Sequence, residues 1–575
     1  MKQNVIGSGP KSNIPTKLMI ALAFILLASV VGIVLLSGPM VGYKPSEYNQ
    51  YPDMFWVSLY GLYSIGVSLA IWGSSKIGHA FGVFFALASQ TILVSVPAFL
   101  GYFTPDPYDG TVAIGYVRSI ELTKHASPGD FYPAFHVLMY TLVRLTNLTV
   151  EQWVFLSVPL MYIIYLVGVF FLVKELELGR NATLAAILAS PMVYTLVGVV
   201  VPRTFLFSVF PIFLLVVYKA TKERKALLLF LLMISMTSIA HPLSGDPFVA
   251  IPVLLLFLFA PMNTVTLSGL AKRVRQGYGL ILGLLFLTSS EWWLWTVQFS
   301  MFYPVFDSIL TLQGGATGIG YVGTTLASSH LSLILAIEVI AKEFGGQIVY
   351  ALLGVTGSLY ILYRLTKKKS TGVQLFAMLL FTYFSLWTLV LMLLPGQFIF
   401  WRFTPYIVFA SVIVVATFAS NNHRTRAIIL IVVLTLLSQA IGLTSIYSSA
   451  WTSSIDPTTT IADSQSVAWL SGRVQTTAYV QQLWFPAGSM AYALFGSNLP
   501  FGINSTVAPN RNLDYRLNGA IFYLPSYSAV YYQIARPNSP STWEYTPNDV
   551  ANLYRAPKVC VIYSNPDISI LVLGC

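Results

Sequence analysis

Continuous apolar runs about as long as a membrane is thick govern what this chain can become. Segments such as 18–37, 77–100 and 278–299 hold almost no charge, and about 20 such residues in a helix cross the ~30 Å hydrocarbon core of a bilayer. Barrel strands need alternating segments of ~10 residues, and these runs do not alternate, so they read as helices. With 56% hydrophobic and 9% charged residues over 575 positions, a water-soluble globule is excluded. About 13 spans are expected, at 18–37, 54–73, 77–100, 154–173, 182–200, 204–218, 226–240, 248–262, 278–299, 347–363, 374–394, 403–420 and 427–447. The basic stretch 1–17 precedes the first run without a clear cleavage site, so that run is read as a retained span.

A net charge of +11 invites a nucleic-acid reading, but its distribution excludes one. The cations cluster in alternate connections, as in Lys222, Arg224 and Lys225, Lys272, Arg273 and Arg275, and Lys367, Lys368 and Lys369, where acids are nearly absent. The positive-inside rule then sets the N-terminus in the cytoplasm and, with an odd span number, the C-terminus outside. The chain is expected to be an integral plasma membrane protein with residues 1–447 as its transmembrane domain. Segments 101–153 and 300–346 form long external loops, and 448–575 form an extracytoplasmic domain richer in Ser, Thr, Asn, Pro and Tyr. The last part of that domain reads as two β-branched strands around Asn565-Pro-Asp567, with an earlier strand at 529–534. Cys560 and Cys575 are the only thiols; they permit one external disulfide and match no metal pattern.

The loop after the third span gathers what the apolar runs leave out. It reads Thr104-Pro-Asp-Pro-Tyr-Asp-Gly110, then a helical stretch near 107–124 with Tyr116, Arg118 and Glu121, then Gly129-Asp-Phe-Tyr-Pro-Ala-Phe-His136. A second, apolar helix near 133–146 is too short to span and is expected to lie along the surface. Asp106 and Asp109 carry two readings. One is a helix start, with Asp106 as N-cap and Pro107 at the first helical position. The other is chemistry: carboxylates at one helix end that hold a divalent cation, Mg²⁺ or Mn²⁺, or take a proton.

These parts resemble the first external loop of GT-C glycosyltransferases, polytopic enzymes that take sugars from polyprenyl-phosphate or polyprenyl-diphosphate carriers. The nearest likeness is to the archaeal, oligosaccharyltransferase-like branch, and the resemblance extends to the order of parts along the chain. It implies a GT-C-like all-α polytopic fold with a small α/β or β-rich C-terminal domain. Two departures stand out. Two spans precede the one that leads into the acidic loop, where many members have one. The Trp-Trp-Asp-Tyr-Gly motif is absent, which points away from an Asn-X-Ser/Thr acceptor and toward another glycan, lipid or protein acceptor.

Arg402, in Phe400-Trp-Arg-Phe-Thr-Pro-Tyr406, reads either as an interfacial arginine reaching for water beside Trp401 or as a two-pronged phosphate clamp. The resemblance assigns that position to the carrier phosphate. Arg203, in Val201-Pro-Arg-Thr204, follows the same logic. Asp130, His136 and His241 are candidate acceptor-side groups, although a lone histidine more often closes a helix end. Glu338 and Glu343 fall on a helix expected around 330–343; they read chiefly as a solvated face, with a carboxylate above the site as the alternative.

The chain contains no phosphate loop of the Gly-Lys-Ser/Thr kind, no Gly-X-Ser-X-Gly elbow and no His-Glu-X-X-His helix. The resulting expectation is a membrane glycosyltransferase. Asp106 or Asp109 serves as base or metal holder, Arg402 and Arg203 grip the donor phosphate, and the partners are a polyprenyl-phosphate-linked sugar, membrane lipids and an acceptor. The rivals are a transporter or flippase for lipid-linked or hydrophilic cargo and a catalytically silent assembly protein of the same shape.

Overall fold

The structure is a computed structural model. It describes residues 16–104 (41–43 and 45 apart), 109–178 (128, 129 and 131 apart), 182–192, 202–233 (224, 227 and 231 apart), 242–275 (263–265 and 267 apart), 333–393 (368 apart), 404–447 (422–424 apart), 460–473, 480–482, 487–496, 503–504, 521–525, 551, 554–555, 559–565 and 568–573. The helices are α1 Thr16–Ser37, α2 Asp53–Trp72, α3 Lys76–Phe99, α4 Asp109–Thr123, α5 Pro133–Thr146, α6 Val150–Val173, α7 Ala182–Ala189 and α8 Pro202–Ala220. They continue as α9 Pro242–Phe259, α10 Leu333–Thr366, α11 Gly372–Leu393, α12 Thr404–Asn421, α13 Thr425–Leu443, α14 Ile461–Ser471 and α15 Ala487–Phe495.

Among the described residues, eight helices are long and apolar enough to cross a membrane: Thr16–Ser37, Asp53–Trp72, Lys76–Phe99, Val150–Leu176, Pro202–Ala220, Ile340–Thr366, Gly372–Val390 and Arg426–Leu443. Each falls on an expected span. Two further expected spans, 248–262 and 403–420, overlap the shorter apolar helices Ala250–Phe259 and Thr404–Ala419. The expected spans at 226–240 and 278–299 lie partly or wholly outside the described residues. The one at 182–200 begins as α7 but gives way at Ser190–Met192 to a 3-10 turn, where Pro191 has no N–H to continue the ladder. The Ile187 carbonyl that thereby loses its partner accepts from Ser190 Oγ at 2.6 Å; the Tyr350 hydroxyl donates to the Leu188 carbonyl, and Tyr63 shares a 2.7 Å hydrogen bond with Ser190.

The helix expected around 330–343 and the span at 347–363 are one continuous helix of 34 residues, α10. Gly345-Gly346 does not break it, because Gly346 is where α13 packs: Ser438 Oγ donates to the Gly346 carbonyl at 2.9 Å. At 1.5 Å per residue α10 is about 50 Å long, some 20 Å more than the hydrocarbon core. Glycine also sets the crossing of α2 and α3. A Cβ on Gly66 would meet the Ala86 backbone N at 2.5 Å, and one on Gly82 would meet the Ala70 backbone closer still.

After α13 the chain forms a mixed sheet of β1 Val480–Gln482, β2 Ile503–Asn504, β3 Ile521–Pro525, β4 Val559–Ser564 and β5 Ile568–Leu573, in the order β2-β1-β3-β5-β4. β1 pairs parallel with β2 and β3, and β5 runs antiparallel to β3 and β4. The β4–β5 hairpin turns at Asn565, whose side-chain oxygen accepts from the Ile568 N–H at 2.8 Å; this is the hairpin expected around Asn565-Pro-Asp567. The strand expected at 529–534 lies outside the described residues. Cys560 on β4 is disulfide-bonded, and the sequence holds one other cysteine, Cys575.

Candidate functional site

The loop between α3 and α6 builds its own small core. Pro133 starts α5 at the first helical position, and the N-cap Tyr132 supplies no side-chain cap. Asp130 caps the helix start in its place, with Oδ1 accepting from the Tyr132 N–H at 2.9 Å. The same carboxylate accepts from His136 Nδ1, one helical turn on, at 2.9 Å to Oδ1 and 2.8 Å to Oδ2. Both side chains are enclosed, Asp130 with 0% and His136 with 4% of its surface exposed. A carboxylate on Nδ1 makes that nitrogen the N–H donor and fixes the orientation of the ring.

Aromatic rings extend this pair in both directions. Tyr116 of α4 stacks on His136 with centroids 4.8 Å apart and planes 25° apart. Tyr492 of α15 stands edge-on to Tyr116 at 5.4 Å, and its hydroxyl lies 3.3 Å from Ser119 Oγ. Burial, aided by the neighbouring Tyr492 and Asp130, pushes the Tyr116 phenol up to about 12. Burial also raises Tyr492, opposed by the Ser119 hydrogen bond and reinforced by Asp130. In the other direction, Phe135 meets Phe205 of α8 at 6.0 Å, two residues from Arg203.

Arg203 is the second residue of α8, after Pro202. Its guanidinium acts electrostatically on the Tyr406 hydroxyl, and Phe207 of the same helix meets the Tyr406 ring at 5.1 Å. Tyr406 closes the Phe400–Tyr406 motif that carries Arg402. Ring contacts thus run from His136 through Phe135 and Phe205 to the start of α8, and from Phe207 of α8 to Tyr406 in the end of α12 that follows Arg402. Arg118 is committed to structure, donating to Glu151 of α6 and to the Leu494 carbonyl at 3.3 Å. It is a tie between α4, α6 and α15.

Of the residues singled out in the sequence, Asp130 and His136 are brought into contact, and Arg203 is linked to them through Phe135 and Phe205. Asp109 is the first residue of α4, while its side chain, Asp106, Arg402 and His241 lie outside the described residues. Glu338 is half exposed and pairs with Lys342 at 2.5 Å, four residues on along α10, which is the solvated-face arrangement. Among the described residues no group of three or more His, Cys, Asp or Glu is placed to hold a metal ion. Sequence reasoning missed Tyr492, Gly115, Ser119 and Glu151. Nothing in the local pattern around Tyr492 marks it, because its partners lie more than 370 residues earlier in the chain.

No family model matches the sequence, and no curated protein matches it. Among solved structures, the chain is similar to ArnT from Cupriavidus metallidurans bound to undecaprenyl phosphate. That match has 11% identity, covers 86% of this chain and 98% of that one, and has a TM-score of 0.45. It is also similar to the arabinofuranosyltransferase AftD from Mycobacteria, at 13% identity and TM-score 0.45 over 85% of this chain. The chain spans 41% of the length of that second protein.

Proposed function

We propose that this integral membrane protein is a GT-C-type glycosyltransferase that moves a sugar from a polyprenyl-phosphate or polyprenyl-diphosphate carrier to an acceptor at the outer face of the membrane. One observation carries the reading: the enclosed Asp130–His136 pair, Arg203 and the α12 end that follows Arg402 lie along one contiguous path. Enclosed ionisable groups are costly unless they are paired or meet a charged ligand. A phosphate headgroup is such a ligand, and a guanidinium grips it with parallel hydrogen bonds.

The reaction is one displacement. The acceptor oxygen bonds the anomeric carbon, the carbon–oxygen bond to the carrier phosphate breaks, and the bonding pair leaves with the polyprenyl phosphate. Arg203 and Arg402 meet that growing negative charge. The acceptor's proton passes to Asp106 or Asp109, the pair that is also proposed to hold Mg²⁺ or Mn²⁺ if a cation takes part. Phosphate leaves readily, so the scheme needs no strong general acid.

The test uses the purified full-length protein in lipid nanodiscs with undecaprenyl phosphate and with polyprenyl-phosphate mannose or glucose. The protein is expected to bind undecaprenyl phosphate and to release sugar from a donor. Loss of a charge-assisted hydrogen bond is worth ~1.5–3 kcal/mol, so Arg203→Ala should weaken binding about tenfold or more, and Arg203→Lys should not restore it. Movement of the lipid between leaflets without bond cleavage would instead identify a flippase. Binding without either activity, unchanged by Asp109→Asn, would identify a silent assembly protein.

A further inference from the structure

The Asp130–His136 pair is enclosed by side chains from distant parts of the sequence. Tyr116 covers the face of the His136 ring, and Tyr492, from the sheet-bearing C-terminal segment, stands against Tyr116. The fit is specific: a Cβ on Gly115 would lie 2.5 Å from Tyr492 Cε1, so α4 leaves a notch that the tyrosine ring fills. The Ser119 hydroxyl engages the Tyr492 hydroxyl, and Arg118 holds the Leu494 carbonyl nearby. Gly496, at a φ of +60°, brings the end of α15 against the Ser119 backbone. An isolated bridge between Tyr102 and Thr460 ties the two segments a second time.

Simple docking of two segments asks only for apolar contact. Here the contact also backs Tyr116, the ring that lies over the enclosed His136 and its carboxylate partner, and taking such groups out of water is costly. Capping α5 accounts for the carboxylate and its histidine partner, but a cap does not need to be shut away from water beneath a tyrosine. A transferase does, because its donor reacts with water as well as with the acceptor, and closing the site suppresses that side reaction.

We propose that Tyr492 is a positioning residue that holds Tyr116 over His136 and so keeps water from the Asp130–His136 pair, so that the acceptor rather than water takes the sugar. This rests on the transferase reading above. In transfer, the acceptor oxygen bonds the anomeric carbon as the carrier phosphate departs with the electron pair. In the competing reaction, water oxygen forms the same bond, gives up its proton and yields free sugar and polyprenyl phosphate. A seal alters the partition between these outcomes and leaves donor binding by Arg203 unchanged.

The experiment uses full-length protein in nanodiscs as wild type, Tyr492→Ala, Tyr492→Phe and Gly115→Val; the last displaces the ring without altering it. The first readout is carbethoxylation of His136 by diethyl pyrocarbonate, mapped by mass spectrometry against the exposed His125 as internal standard. His136 should react at least tenfold more slowly than His125 in wild type and Tyr492→Phe, and should approach the His125 rate in Tyr492→Ala and Gly115→Val. The second readout is free sugar released from polyprenyl-phosphate mannose or glucose without acceptor. It should rise severalfold in the two opened variants with donor KM unchanged, and Tyr492→Phe should restore the wild-type value. Unchanged His136 reactivity in both opened variants overturns the seal, as does an exposed His136 without extra free sugar. If Arg203→Ala weakens undecaprenyl phosphate binding while the partition stays fixed, only the seal falls. If wild type neither binds that lipid nor consumes a donor, the transferase reading falls and takes the seal with it.

Discussion

Replacing His136 by Leu removes the donor that lies 2.8 and 2.9 Å from the two Asp130 oxygens. It leaves a carboxylate with no exposed surface, held among the described residues by the Tyr132 N–H at 2.9 Å. A hydrogen bond to a charged group contributes ~1.5–3 kcal/mol net, and stranding a buried charge raises the cost to ~3–5 kcal/mol. Asp130→Ala removes the other half and also frees the N-terminus of α5. The double variant strands nothing, so it should cost no more than the worse single, a coupling of ~1.5–3 kcal/mol. A polytopic chain of this size does not unfold in one step, so the measurement must be local. Hydrogen exchange read by mass spectrometry over 109–149 supplies it. Exchange there should speed up about a hundredfold in either single variant, since ~1.4 kcal/mol is a factor of ten, and no further in the double. Additive effects, or a single variant that exchanges like wild type, would refute the view that the two side chains act as one unit.

Three other expectations follow from named contacts. Gly82→Ala should loosen the α2–α3 crossing and lower the thermal midpoint, because the added Cβ meets Ala70 backbone atoms that cannot turn aside; Gly32→Ala, with nothing within 4 Å, should be neutral or slightly stabilising. Tyr116, raised by burial to about 12, keeps its proton longer in the folded than in the unfolded chain, whose phenols ionise near ~10. Its contribution is therefore complete below pH ~10 and is lost as pH rises through about 12, and tyrosinate absorbance of wild type against Tyr116→Phe should show that component. Cys560→Ser should make the β4–β5 hairpin sensitive to protease, since closing a loop of roughly 15 residues contributes ~3 kcal/mol; unchanged cleavage would mean the disulfide adds nothing there.

The membrane-spanning helices are legible in the sequence because each satisfies its backbone hydrogen bonds within itself, so length and apolarity suffice to mark it. α5 is equally legible, with Pro133 at its start and Asn147 in the left-handed conformation at its end. Where the structure departs from expectation, a tertiary contact outweighs a local signal. The helix around 330–343 and the span at 347–363 read as two elements, yet α10 runs through both and α13 packs at Gly346 between them. The region 182–200 looks like a uniform span, yet Pro191 has no N–H for the Ile187 carbonyl, and the Ser190 hydroxyl, itself bonded to Tyr63, takes its place.

The candidate site divides along the same line. Asp130 and His136 lie six residues apart, and one turn of helix brings them together, so their partnership is within reach of local reasoning. Arg203 and Tyr492 reach them only through folding, Arg203 by way of Phe205 and Phe135, Tyr492 by way of Tyr116. Neither connection leaves a periodicity or spacing in the sequence. The loop contains acids and a histidine that water would ordinarily surround; here Tyr116 and Phe135 lie against the His136 ring, and α15 places Tyr492 behind Tyr116. On the proposal above, loss of α15 would expose the pair as a solvated helix cap, and its presence keeps the pair enclosed. The physical character of this end of the bundle is thus a property of the assembled chain, and the two halves should fail together when either is disturbed.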